Sequence, residues 1–159
     1  MLTIEKRIEV ECPRTVVYDQ WTQFELFPQF MDGVTNVTQV GNKRLHWKAQ
    51  IGGKEKEWDA EIFEQLPDER IAWRSMGGNA RNSGMVNFTS VSPTCTQICL
   101  RLNYDPVGVL EKIGSVLGVV SSRVGHDLKR FKRFIEDRRV PTGEWRGEIH
   151  GREVRPPRV

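Results

Sequence analysis

The sequence predicts an α+β fold in which one long C-terminal helix packs against an antiparallel sheet of about seven strands. Strand-like segments follow one another through residues 34–104, and the turns between them are too short for parallel crossovers. An amphipathic apolar stripe then runs to about residue 139. One N-terminal strand and two short helices complete the predicted order.

The first elements are short. Residues 3–11 alternate between apolar and charged side chains, which predicts a strand with one solvated face. Pro13 suits the first position of a helix, which we predict over residues 13–21. A second short helix or turn is predicted over residues 24–31, where Pro28 interrupts it. Both helices therefore connect the first strand to the rest of the sheet.

Hairpin and turn signals separate the remaining strands. Gly41-Asn42 and Gly52-Gly53 are hairpin dipeptides, and Pro67-Asp68 is a turn signal. Short hairpins join antiparallel neighbours, so these strands are predicted to form a meander. The predicted strands lie at residues 34–40, 43–51, 54–65, 70–76, 83–91 and 96–104.

The C-terminal helix is predicted over residues 106–139. A straight helix of that length would extend roughly 50 Å at 1.5 Å per residue, longer than the domain. We expect a bend at Gly114, Gly118 or Ser121-Ser122, with a short segment before about Gly118 and a long straight helix after it. Its apolar stripe consists of Leu110, Ile113, Leu117, Val120, Val124, Leu128, Phe131 and Ile135.

The chain length of 159 residues suits one domain, which we place at residues 1–140. Residues 141–159 lack a core pattern and are predicted to form a polar, partly disordered tail. Within that tail, Trp145 either packs back on the domain or is exposed.

Composition excludes several classes of protein. The longest apolar run, residues 116–120, is broken by Gly118 and is too short to span a membrane. The N-terminus carries charges where a signal peptide needs an apolar stretch, so we expect a cytoplasmic protein. Its three cysteines have no framework or metal-ligand spacing, which predicts reduced thiols, no metal and no cofactor.

Four segments carry a resemblance to a known family: residues 24–34 (FELFPQFMDGV), 70–75 (RIAWRS), 84–88 (GMVNF) and 127–132 (DLKRFK). They resemble the START-like (SRPBCC) superfamily, and in particular its polyketide cyclase/dehydrase and coenzyme-Q-binding group. The similarity covers about residues 1–139, and more loosely 142–149. It implies a helix-grip fold, in which the sheet wraps around the C-terminal helix. It does not imply one chemistry, because the superfamily includes cyclases, lipid carriers and hormone receptors.

One face of the predicted sheet is rich in aromatic side chains, and a single helix is too narrow to fill a strongly curved sheet. An apolar cavity between sheet and helix is therefore the predicted ligand site, although the same residues also suit an ordinary core. Phe27, Phe30 and Met31 are expected near its mouth, and Leu110, Ile113 and Leu117 on its helical wall. The inward aromatic residues are Trp47, Trp58, Trp73, Phe88 and Tyr104.

The sequence suggests no catalytic residues. His46 has the wrong parity to share the face of Trp47, and His126 lies off the apolar stripe. Asp32 and Asp59 are interpreted as a turn residue and an outward strand residue. General acid–base catalysis needs a group within hydrogen-bond reach of the proton, and none can be assigned.

The sequence is compatible with three functions. The first is a carrier or binding module for a hydrophobic small molecule such as a quinone, lipid or polyketide-like compound. The second is a cyclase or dehydratase that acts mainly by positioning its substrate. The third is a ribosome- or RNA-associated module that uses the basic C-terminal helix, since residues 123–159 hold 11 of the 24 lysines and arginines. No nucleic-acid motif accompanies that charge, so nucleic acid is the least favoured partner.

Overall fold

The computed structural model describes residues 2–51, 53–78, 81–105 and 113–157. The chain begins with β1 (Leu2–Val10), α1 (Arg14–Trp21) and a 3₁₀ helix (Phe24–Gln29). Helix α2 (Ile113–Arg138) follows the meander. The remaining strands are β2 (Val34–Val40), β3 (Arg44–Ile51), β4 (Lys54–Leu66), β5 (Arg70–Gly78), β6 (Arg81–Ser92), β7 (Cys95–Asp105), β8 (Glu148–His150) and β9 (Glu153–Arg155).

The described strands form one antiparallel sheet in the order β1-β7-β6-β5-β4-β3-β2. This arrangement confirms the predicted meander, with the N-terminal strand added beside β7. The register between β4 and β5 shifts near Trp58 and again near Ile62. Such bulges bend and twist a strand, and here they curve the sheet around α2.

The C-terminal residues differ from the predicted tail. Strands β8 and β9 form a hairpin, and β8 pairs with β4 at Glu64 and Gln65, beyond the last β3 partner of β4 at Glu61. Ile149 is fully buried in this pairing. Residues 148–155 are therefore ordered as part of the sheet, because the end of β4 would otherwise leave an unpaired edge.

The same segment is also attached through a side chain. Arg146 contacts Asp19 on α1 at 2.5 Å and Asp68 in the β4–β5 turn at 2.6 Å, and its guanidinium lies over the Tyr18 ring. Trp145 is partly buried and packs against the core, as the first of its two predicted placements requires. The boundary placed at residue 140 thus separates segments that lie in one sheet.

Helix α2 is continuous from Ile113 to Arg138 and passes through Gly114, Gly118 and Ser121-Ser122. The expected division into two segments near Gly118 is absent from the described part of the helix, and residues 106–112 lie outside that part. The second half of the predicted apolar stripe is confirmed, because Val124, Leu128, Phe131 and Ile135 are all buried. These side chains face the concave side of the sheet, which places the core between sheet and helix.

Candidate functional site

A cavity of about 190 Å³ lies between the concave face of the sheet and α2. Its sheet side is formed by residues of β2 to β7, and its helix side includes Val120, Val124 and Leu128. Trp21, Phe24 and Phe27, from α1 and the 3₁₀ helix, close one end. Most of the wall is therefore aliphatic or aromatic.

Two tryptophans dominate one side of the cavity. Trp47 on β3 and Trp58 on β4 are directly paired across the two strands. Their ring centroids are 6.0 Å apart and their planes are parallel within 2°. The indole N–H of Trp47 is buried and has no hydrogen-bond partner among the described residues, so packing alone fixes this ring.

A third tryptophan depends on a glycine. Trp73 on β5 pairs with Gly84 on β6. A Cβ atom at Gly84 would lie 2.4 Å from Cζ2 of Trp73, which is far inside van der Waals contact. The missing side chain thus allows the Trp73 indole to lie across β6 and line the cavity.

The structure brings six of the predicted site residues to this cavity. Phe27 and Met31 come from the 3₁₀ helix and the loop that follows it. The other four are strand residues of the inner face. They are Trp47, Trp58, Trp73 and Tyr104.

Two predicted site residues lie in the packed core instead. Phe88 is buried against Tyr18 and Trp21 of α1, at centroid distances of 5.5 and 5.9 Å. Phe30 is buried against Phe131 and Phe134 of α2. Neither side chain lines the cavity, because rings of α1 cover Phe88 and rings of α2 cover Phe30.

The structure describes only part of the predicted helical wall. Leu110 lies outside the described residues. Ile113 and Leu117 belong to α2, but their side chains are not among those described. Among the described residues, the helical wall consists of Val120, Val124 and Leu128.

Sequence reasoning missed the carboxylate that lines the cavity. Asp127 lies three residues after Val124 and four before Phe131, so it occupies the apolar stripe of α2, and this position was the available signal. Only 8% of Asp127 is exposed. Its Oδ1 accepts a hydrogen bond from the backbone N–H of Asp32 at 3.0 Å.

Burial controls the ionisation of Asp127. Desolvation raises the pKa of this carboxyl to about 6, against the opposing effects of the Asp32 N–H and of the Arg130 and Arg123 guanidinium groups. The Asp32 carboxylate adds a smaller upward effect on the same pKa. The described cavity wall therefore includes a carboxyl whose pKa lies near neutral pH.

An arginine links the helix to the sheet beside this carboxylate. Arg123 lines the cavity and donates a hydrogen bond from Nη1 to the backbone carbonyl of Gln50 at the end of β3. Gly33 has a φ of +90°, and a Cβ atom there would lie 2.6 Å from Arg123 Nη1. Glycine at this turn thus satisfies both the backbone conformation and the approach of the guanidinium.

Of the other titratable groups considered from the sequence, Asp32 borders the cavity, whereas His46 and Asp59 lie on the outer face of the sheet. His46 is on the outer face, between Asp59 and Glu57 at 2.6 and 2.5 Å, and these carboxylates raise its pKa. Within the described ranges, no group of three or more His, Cys, Asp or Glu residues is arranged to hold a metal ion. Nor does any described helix have the length and apolarity needed to cross a membrane.

The basic face of α2 is partly occupied by internal contacts. Lys132 donates to the Glu9 carbonyl at 2.7 Å and pairs with Glu136, and Arg130 lies near Asp127 and Asp32. Lys129 and Arg133 are exposed. The ribosome or RNA contact remains a prediction from the sequence. Because some basic side chains of α2 are paired within the protein, the basic surface available for such a contact is smaller than the charge count suggests.

Comparisons with known proteins identify the class to which this fold and cavity belong. The family model for polyketide cyclases/dehydrases and lipid transport proteins matches residues 10–133. The chain therefore belongs to this family, and its helix-grip, START-like fold is the one predicted.

Individual relatives agree with this assignment. An uncharacterized 17.2 kDa protein of Streptomyces lincolnensis is 46% identical over 149 residues, which cover 94% of this chain and 99% of that protein. The Zhui aromatase/cyclase of a Streptomyces species superimposes with a TM-score of 0.72 at 15% identity, covering 86% of this chain and 94% of the other. A START superfamily protein of Mycobacterium smegmatis gives a TM-score of 0.64 at 15% identity, with coverages of 86% and 95%. At these identities the two solved structures establish similarity of fold.

Proposed function

We propose that this protein binds a hydrophobic small molecule in the cavity between the sheet and α2, as a carrier or binding module. The observation that carries the proposal is the cavity wall, in which Trp47, Trp58 and Trp73 face Val120, Val124 and Leu128 of the helix. We also propose that the six predicted site residues on this wall contact the ligand: Phe27, Met31, Trp47, Trp58, Trp73 and Tyr104.

Elementary energetics support binding. An apolar ligand that replaces water in this cavity removes apolar surface on both sides from solvent, which contributes about 25 cal/mol per Å². Few polar groups interrupt the wall, so little desolvation cost opposes that gain. Membership of a family of cyclases, dehydrases and lipid transport proteins supports the same class of ligand.

Native mass spectrometry of the purified protein tests for a co-purifying ligand, and calorimetry with apolar compounds tests binding directly. We expect a negative heat-capacity change, because apolar surface is buried. Ala49→Phe should fill the cavity from β3 and abolish binding, since Ala49 lines it. Lys48→Phe, on the other face of the same strand, is the matched control and should leave binding intact.

A catalytic role is the second candidate, and Asp127 is the observation that favours it. A carboxyl whose pKa is raised to about 6 can accept or return a proton near neutral pH. The aromatase/cyclase with this fold suggests cyclisation or dehydration as the reaction class. Asp127→Asn should then abolish conversion of the native ligand, followed by mass spectrometry, while the ligand still binds.

A further inference from the structure

The cavity is small for a family associated with lipids and polyketides. Its volume is about 190 Å³. An apolar cavity of about 150 Å³ holds benzene, whereas sites for drug-sized ligands span roughly 300–1,000 Å³. The volume therefore suits one or two rings, and it is too small for a diacyl lipid or a four-ring compound.

The wall favours rings over chains. Trp47 and Trp58 present two parallel indoles, and Trp73, which lies across β6, lines the same cavity. Aromatic rings attract one another in offset-stacked and edge-to-face arrangements, an attraction that a flexible alkyl chain lacks. A rigid ring also loses less conformational freedom than a chain when it binds.

A polar anchor is available at one end of the cavity. The contacts of Asp127 with Asp32 and Arg130 are made by Oδ1. Within the described part of the chain, its second oxygen, Oδ2, accepts no hydrogen bond. Because Asp127 lines the cavity and the described contacts use only Oδ1, Oδ2 is the oxygen left among these residues to accept a hydrogen bond from a ligand.

The chemistry of that acceptor selects the ligand group. A carboxylate accepts hydrogen bonds, so the ligand must supply a donor. An ammonium would lose its hydration on entering an apolar cavity beside Arg123, whereas a neutral hydroxyl loses much less. An anionic ligand would meet the repulsion of Asp127 itself.

We propose that the ligand is an aromatic alcohol of one or two rings, whose ring lies against Trp47, Trp58 and Trp73 and whose hydroxyl donates to Oδ2 of Asp127. This inference rests on the proposed function, since it names the ligand of the same cavity. Asp127 is here a specificity residue: it selects the hydroxyl, and the tryptophans bind the ring.

Calorimetry at pH 7.5 with four probes tests the assignment: 2-naphthol, naphthalene, 2-naphthoate and palmitate. We expect 2-naphthol to bind at least tenfold more tightly than naphthalene, because a hydrogen bond to a charged group is added. Asp127→Asn should weaken 2-naphthol binding about tenfold and change naphthalene binding by less than about twofold. Asp137→Asn, at an exposed position of the same helix, is the matched control and should change neither.

Different failures are distinguishable. Tighter binding of 2-naphthoate or palmitate than of 2-naphthol would overturn the inference while leaving hydrophobic binding established. Equal weakening of 2-naphthol and naphthalene by Asp127→Asn would also overturn it. If none of the four probes binds and no ligand co-purifies, the proposed function itself fails. If Asp127→Asn does not fold, the ratio of 2-naphthol to naphthalene affinity in the unchanged protein tests the inference. A ratio near one would overturn it.

Discussion

The concave face of the sheet supports two aromatic regions with opposite packing. In the first, which we call the filled region, Tyr18, Trp21, Phe30, Phe88 and Phe131 are all buried. Their rings meet mostly edge to face, as at Trp21–Phe131 with a centroid distance of 5.0 Å and an angle of 67°. In the second, the cavity region around Trp47, Trp58 and Trp73, equally large side chains leave about 190 Å³ unoccupied.

The elements that cover each region explain the difference. Helix α1 brings Tyr18 and Trp21 into the filled region, and the residue after the 3₁₀ helix brings Phe30; their rings pack against rings from β6 and α2. Phe27 lies between the regions, since it contacts both Trp21 and Trp47. Aromatic content alone therefore does not distinguish the filled region from the cavity region. The difference lies in which elements pack above the sheet in each region.

The largest expected effect is in the filled region. Phe131→Ala should lower the free energy of unfolding by about 3–5 kcal/mol, because it removes a buried ring that touches Trp21 and Phe30. Leu128→Ala should cost less, about 2–3 kcal/mol, since Leu128 borders the cavity and has fewer packing partners. Chemical denaturation measures both. Arg133→Ala, exposed on the same helix, should change stability by less than about 0.5 kcal/mol.

Equal losses for Phe131→Ala and Leu128→Ala would mean that the two regions are packed alike. The filled region and the cavity region would then not differ in how much their packing stabilises the fold.

The next effect concerns the polar edge of the cavity region. The pKa of Asp127 is about 6 in the folded protein and near 3.8 when unfolded, so the folded state binds more protons between these values. Stability contributed by this group therefore falls as pH rises from about 4 to about 6, by roughly 2–3 kcal/mol. Asp127→Asn should remove that fall while keeping an oxygen for the Asp32 N–H.

The measurement is the difference between the two stability–pH curves, which cancels the carboxyls common to both proteins. Asp32, Arg123 and Arg130 face Asp127, and all three remain in the variant. Parallel curves from pH 4 to pH 7 would show that the folded and unfolded pKa values of Asp127 are the same.

Local sequence patterns were sufficient for most of the fold. Strands β2 to β7 lie within about two residues of their predicted bounds, because alternation and turn dipeptides are properties of adjacent residues. Burial of Phe131 and Ile135 followed from spacing alone. The β8–β9 hairpin was missed because its strands are only three residues long and are held by pairing with distant β4.

The candidate site was harder to predict for a related reason. Phe88 and Trp58 have the same inward parity, and only the long-range packing of α1 places one in the core and the other on the cavity wall. Asp127 was recognisable as a charge within an apolar stripe. Its pairing with the Asp32 backbone, however, depends on a loop 95 residues away in the chain.

A substitution in the cavity region should separate binding from stability. Trp73→Ala should weaken binding of naphthalene about tenfold and cost less than about 2 kcal/mol of stability, because one side of the ring faces the cavity. Trp145→Ala is the matched loss of an indole: it packs against the core and should leave affinity unchanged. Calorimetry gives the affinity of each variant for naphthalene, and chemical denaturation gives its free energy of unfolding. A larger stability loss for Trp73→Ala, with no change in affinity, would assign Trp73 to the core.

The smallest expected effect lies where α2 covers the end of the filled region. Lys132 donates from Nζ to the Glu9 carbonyl of β1 at 2.7 Å and to Glu136 at 2.8 Å, and Glu136 also accepts from the Glu11 N–H. Lys129, three residues earlier, is exposed. Because a partly exposed pair contributes little, Lys132→Ala should lower stability by about 0.5–1 kcal/mol, whereas Lys129→Ala should be nearly silent. Denaturation at low and high salt checks both, since screening should reduce the cost of Lys132→Ala. If the two variants are indistinguishable at low salt, this contact between α2 and β1 does not stabilise the filled region.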